Sequence, residues 1–168
     1  MNRVHSLISC LAFVACARGE TLWIEAEKPT KTNVVRHPWY SDVRRQLLSG
    51  GEFISHWDGK KAGEVEYVVQ IAKEGSYDFW VRANPTGTSL SYQLGDGSLT
   101  AIDLTKDKFD VVNIAPKNAL DIRFLAWVKV GKLALKKGDL RLRFRMDYQS
   151  CRNVTRCCRP RTECLPPP

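Results

Sequence analysis

The residues best suited to chemistry in this chain are carboxylates, arginines and aromatics, and their spacing limits what each can do. Glu25 and Glu27 stand two apart in Leu22-Trp23-Ile24-Glu25-Ala26-Glu27, a short apolar run stopped by Lys28-Pro29. On a strand such residues point to the same side, about 7 Å apart at Cα from a rise of ~3.3 Å per residue. A glycosidase pair must flank the scissile bond from opposite sides, so neighbours on one strand do not serve. The chain has no Gly-x-Ser-x-Gly elbow, no His-Glu-x-x-His and no phosphate loop. Of its three histidines, His5 lies in the apolar N-terminal segment. Little general-base chemistry is left, and the reading is that the chain is not an enzyme.

The second constellation is cationic. Leu140, Leu142, Phe144 and Met146 alternate with Arg141, Arg143 and Arg145, so one strand presents three guanidiniums on one face. Lys136, Lys137, Arg123 and Lys129 are available to join them. Such a row suits uronic-acid or sulfated polysaccharides; it equally suits a solvated outer sheet whose charge prevents edge-to-edge association. The net charge of +8 is concentrated in part in a tail carrying Arg152, Arg156, Arg159 and Arg161. The remaining body is only mildly basic, which argues against nucleic acid as a partner.

The elements that must position these groups are strands. In Gly63–Asn84, Val65, Tyr67, Val69 and Ile71 alternate with polar residues, and after Lys73-Glu74-Gly75-Ser76 the alternation resumes through Tyr77, Phe79, Val81 and Ala83. This period of two, with a glycine in the reversal, predicts a hairpin with one face buried. Trp80 falls on its other face, as a platform on an outer sheet or as cover for a neighbouring strand. Further strands are expected at Glu52–His56, at Leu90–Leu94 paired through Gly95-Asp96-Gly97-Ser98 onto Leu99–Leu104, at Leu120–Val130 as a central strand, and at Leu140–Met146. Residues 30–50 lack a clean period, with a brief helical turn or a long loop at Val43–Leu48. Many short strands, frequent turns and no long helix predict an all-β antiparallel sandwich or jelly roll.

The ends differ from the body. Residues 1–17 combine Arg3, an apolar run from Leu7 and the Ala15-Cys16-Ala17 signal, which reads as a secretory signal peptide too short to span a membrane. The rival reading is a lipid anchor on Cys16. A β-sandwich body over residues 18–147 holds no cysteine, so it does not depend on disulfides. Residues 148–168 carry Cys151, Cys157, Cys158, Cys164 and a terminal Pro166-Pro167-Pro168, without periodicity and without a common zinc spacing. They read as a disordered or out-of-frame tail replacing a native ending, with a disulfide knot as the alternative.

In order and spacing, Ile24-Glu25-Ala26-Glu27, Gly50-Gly51, Val65-Glu66-Tyr67-Val68-Val69, Glu74-Gly75-Ser76-Tyr77, Val81-Arg82-Ala83-Asn84, Trp127 and Lys137-Gly138-Asp139-Leu140-Arg141-Leu142 resemble the β-jelly-roll carbohydrate-binding modules of the family 6 and family 35 type, over residues 22–146. The resemblance implies a structural calcium site at Glu25 and Glu27, consistent with the need of calcium for several converging oxygens. It implies a glycan cleft in the loops at one end of the sandwich, where aromatic faces stack on sugar rings and planar polar groups fix orientation. Trp57, with His56 and Asp58, falls in one wall of that cleft; Trp39 and Tyr40 stand on the long first loop; Asn84 is a further contact or a turn residue before Pro85. A loop around 107–119 offers only Phe109. The same resemblance treats Trp127 as core and implies a catalytic partner domain outside this chain. A protein-interaction sandwich that binds no glycan is the remaining alternative.

Overall fold

The structure, a computed structural model, describes residues 7–15, 21–36, 42–58, 60–86, 88–119 and 122–147. Eleven strands are described: β1 (Leu7–Ala15), β2 (Thr21–Glu25), β3 (Lys31–Thr32), β4 (Ile54–Ser55), β5 (Gly63–Ile71), β6 (Gly75–Ala83), β7 (Leu90–Leu94), β8 (Thr100–Ile102), β9 (Lys108–Asn113), β10 (Phe124–Leu135) and β11 (Gly138–Met146). Every pairing is antiparallel. One sheet runs β2-β1-β6-β10-β9 with β4 beside β1; the other runs β3-β5-β11-β7-β8. The molecule is an all-β sandwich, as the alternation predicted.

The expected hairpin at 63–84 is not one. Its two strands exist with nearly the expected limits, but β5 pairs with β3 and β11 while β6 pairs with β1 and β10. The Lys73–Gly75 reversal is an arch from one sheet to the other, stabilised where the buried Tyr77 donates its hydroxyl to the Lys73 carbonyl at 2.7 Å. The physical reason is hydrophobic. Both strands carry continuous apolar rows, and facing them across a sandwich buries Val65, Tyr67 and Ile71 opposite Tyr77, Phe79 and Val81 in one core. Phe79 sits at its centre, edge-on to Tyr92 at 5.1 Å and tilted against Phe144 at 6.3 Å. The β10 to β11 connection crosses between sheets in the same way.

The β7 and β8 hairpin forms as expected, closed by Gly95 at φ +54° and by the Gly97 N–H on the Leu94 carbonyl. β10 and β11 are central strands, flanked on both sides. The apolar second face of β10 has two explanations. A register shift against β9 between Leu125 and Trp127 sends Leu125 into a second core with Leu48, Phe53 and Ile114, while Trp127 stays half-buried on the outer face. That second core fixes residues 42–53, whose turn at Arg45–Leu47 is the short helical segment expected there. Arg44 donates to the Asn113 carbonyl and Arg123 to the Asp42 carbonyl, joining the segment to the β9 and β10 ends. Residues 108–113, expected as loop, are strand β9.

Leu7–Ala15, the apolar stretch of the expected leader, is a strand in the full chain and lies between β2 and β6. The tail from 148 onward with its four cysteines, and Trp39 and Tyr40, lie outside the described residues. Among the described residues no helix is long and apolar enough to cross a membrane.

Candidate functional site

Two carboxylates meet at the end of β2. The turn that ends the strand, Lys28 N–H on the Glu25 carbonyl, carries Glu27 back beside Glu25, and the buried Tyr67 hydroxyl holds the Ala26 carbonyl between them at 2.6 Å. Glu25 Oε1 accepts the Trp23 indole N–H at 2.8 Å and the Ser49 hydroxyl at 2.6 Å. Gly50, at φ +62°, completes the cradle: a Cβ there would stand 2.7 Å from Glu27 Oε1 and 3.9 Å from the Glu25 carboxyl carbon. The Glu25 and Glu27 Oε2 atoms are buried without a hydrogen-bond partner among the described residues. Burial pushes the Glu27 carboxyl above its ordinary range, and the charges of Glu25 and Glu52 add to it. Burial, with the Glu27 charge, also raises the Tyr67 phenol. Two partly desolvated carboxylates with unpartnered oxygens repel one another, and a hard cation relieves that repulsion. Nearby, a cleft of about 360 Å³ opens between the β2 and β5 edges, lined by Trp23, Glu25, Lys28, Tyr67, Val68 and Gln70.

The Trp57 loop is fixed from both sides. His56 is buried; its Nδ1 accepts the Val35 N–H at 3.2 Å, so the proton resides on Nε2, which donates to the Lys61 carbonyl at 2.9 Å. Its ring packs so closely on Gly63 that any Cβ there would collide with it. Asp58 Oδ1 accepts the Lys60 and Lys61 N–H groups, and these bonds hold its carboxyl below the usual range. The Trp57 backbone N–H donates to the Val35 carbonyl at 2.8 Å, and the residue is 37% exposed. Of the three residues expected to contact sugar here, Trp57 is exposed, Asp58 is half-buried and His56 is buried. His56 is structural, because both ring nitrogens serve the fold.

Asn84, expected as a sugar contact or as a turn residue before Pro85, is 1% exposed, and its amide donates to the Ile122 carbonyl at 2.7 Å, tying the loop before β10 to the end of β6. The arginine row is present on β11, but it is neutralised. Arg141 reaches Asp96, Arg143 pairs with Glu66 at 3.1 Å and Gln93 at 3.1 Å, and Arg145 lies between Glu64 and Asp147. Arg143's hydrogen bond is the main cause that keeps Glu66 below the usual carboxylate range. Arg123 does not join this face, being buried in the 42–53 contact, and Lys129 lies on the opposite sheet.

The feature that sequence reasoning missed is the outer face of the β1-containing sheet. Trp23 meets Trp127 edge-on at 5.8 Å with the Arg82 guanidinium 5.9 Å from the Trp127 ring. Trp80 meets Phe109 at 5.4 Å with the Lys129 ammonium 5.4 Å from its ring. Trp23, Phe109 and Val111 are each about half exposed, at 51%, 53% and 55%. Outward alternation already pointed to Trp80. It did not place Trp23 and Trp127 together, because they lie on strands separated by two others. No family model, no curated protein and no solved structure matches this chain.

Proposed function

We propose that this chain is a secreted, non-catalytic carbohydrate-binding module of jelly-roll type that directs a partner catalytic domain to its glycan. The observation that carries the reading is Trp57: an exposed indole on a backbone locked by His56, Asp58 and Val35. A flat aromatic face held rigid loses little entropy on stacking against the C–H face of a pyranose ring. Asp58 stands beside it, ionised and able to accept a sugar hydroxyl. The Glu25 and Glu27 pair, with the Ser49 hydroxyl, is the set that would hold a calcium ion; the ion would supply positive charge where two carboxylates crowd together.

A specific observation favours a second contact surface for the same ligand class, the outer-face aromatics Trp23, Trp80, Phe109 and Trp127 with Arg82 and Lys129. Acid pairing of the three β11 arginines makes that row the weaker site for anionic glycans.

The test is a glycan array probed with the full chain, with and without calcium, at low and high salt. Binding to a neutral glycan that survives high salt and disappears in Trp57→Ala supports the loop site. Loss in Trp80→Ala with Trp57→Ala intact moves the site to the outer face. No binding by a folded protein overturns the proposal.

A further inference from the structure

The strand β1 is the centre of a groove. Its neighbours β2 and β6 are each antiparallel to it, so they run parallel to one another. They stand two strand spacings apart, roughly 9.5 Å from the usual 4.7–4.9 Å. Without β1 they cannot zip together in the antiparallel register of the rest of the sheet. Two facing ladders of backbone N–H and C=O groups would remain, one strand wide. Among the described residues β2 has no other strand partner, so the Trp23 and Glu25 positions depend on β1.

The register specifies what fits. Leu11 pairs with Ile24 and Val81, and Phe13 with Leu22 and Phe79; Val81 and Phe79 are fully buried core residues. Cys10 is registered between Glu25 and Arg82, and Ala12 between Trp23 and Trp80. The backbone register thus sets Leu11 and Phe13 between apolar residues of both neighbours and Ala12 between two tryptophans. The same segment precedes the Ala15-Cys16-Ala17 cleavage signal.

We propose that the gap between β2 and β6 is a strand-accepting groove whose occupant is the chain's own Leu7–Ala15 segment, and that this segment stays bound as a separate strand after the chain is cut behind Ala17. The groove recognises it by main-chain hydrogen bonds on both edges, in a register that sets Leu11 and Phe13 between apolar residues, the physics of strand addition. This inference rests on the reading of residues 1–17 as a cleaved secretory leader and not on the carbohydrate reading.

The experiment uses the full chain with a specific protease site inserted between Ala17 and Glu20. After cleavage, residues 1–17 are expected to co-elute with the body on size exclusion and to appear with it in native mass spectrometry. A labelled peptide of Leu7–Ala15 flanked by lysines is expected to exchange into the complex, and the same peptide with Phe13→Asp is not. In the uncut chain, Leu11→Pro is expected to lower the melting temperature and shift tryptophan emission to the red. Departure of the fragment on cutting overturns the proposal, whether the remaining body stays folded or unfolds; so does a Leu11→Pro chain with unchanged melting and emission.

Discussion

At the scale of single residues, the most consequential side chains are those whose neighbours come from distant parts of the chain. Glu27 is the clearest case. Its folded pKa is raised, so its ionisation opposes folding: the opposition is absent below its unfolded value near 4.5 and grows as pH rises through the higher folded value. Replacing it by glutamine removes that opposition. In calcium-free buffer, Glu27→Gln is expected to melt higher than the parent at pH 7, with the difference shrinking as pH falls toward 4.5. Added calcium is expected to raise the melting temperature of the parent and not of the variant. Thermal melts across this pH range with and without calcium check both statements. Asp78, Asp103 and Glu66 have lowered values and act with the opposite sign: they stabilise at higher pH and lose that contribution on acidification. They titrate from a lower range, so the comparison of parent and variant isolates Glu27.

Gly63 tests the Trp57 loop at the same scale. A methyl group there strikes the His56 ring, whose two nitrogens hold Val35 and Lys61. Gly63→Ala is expected to destabilise the fold by about 1–3 kcal/mol, the ordinary range for overpacking, and to weaken glycan binding although it touches no ligand. Denaturant titration and binding isotherms measured on one preparation separate the two effects. Trp57→Ala removes only a partly exposed ring. It is expected to leave stability within about 1 kcal/mol, as for surface changes generally, while abolishing binding.

At the scale of elements, the sandwich depends on arches rather than on the local hairpin that alternation suggests. β5 and β6 face one another across the core, and Phe79 fills the space between Tyr92 and Phe144. Phe79→Ala is expected to cost about 3–5 kcal/mol, the usual range for deleting a buried phenylalanine, and chemical denaturation measures it. The small 42–53 unit is held by its own apolar cluster and by Arg44 and Arg123 on backbone carbonyls. It brings Ser49 and Gly50 to the end of β2, so the carboxylate cradle belongs to two elements distant in sequence.

At the scale of the whole molecule, charge is arranged to cancel where it is densest. Arg143 and Glu66, Arg141 and Asp96, and Arg145 with Glu64 form a ladder across β11 and its neighbours, and Lys129 and Lys132 converge on Asp78. Surface pairs of this kind contribute little to stability and are weakened by salt. Affinity for a neutral glycan is therefore expected to change less than about twofold between about 0.05 and 0.5 M salt, a range over which the Debye length falls from about 14 to about 4 Å. Isothermal titration at the two salt concentrations checks it; a tenfold fall would return the binding site to the arginine face.

The sequence alone determined which residues point inward. Alternation placed Tyr67, Phe79, Val81, Leu142 and Phe144 on core faces, and all of them are buried. It also carried the all-β class and the β7 and β8 hairpin; Glu25 and Glu27 meet through the turn that follows β2 and not as neighbours on one strand face. Only the tertiary structure decided which strand lies beside which. A period of two encodes a face and leaves the partner open, so β5 and β6 read as one hairpin although they belong to opposite sheets. For the same reason the Trp23 and Trp127 contact, the burial of Asn84 and the closure of Ser49 and Gly50 over the carboxylates were not legible: each joins segments far apart in the chain, and long-range packing rather than local pattern sets those distances.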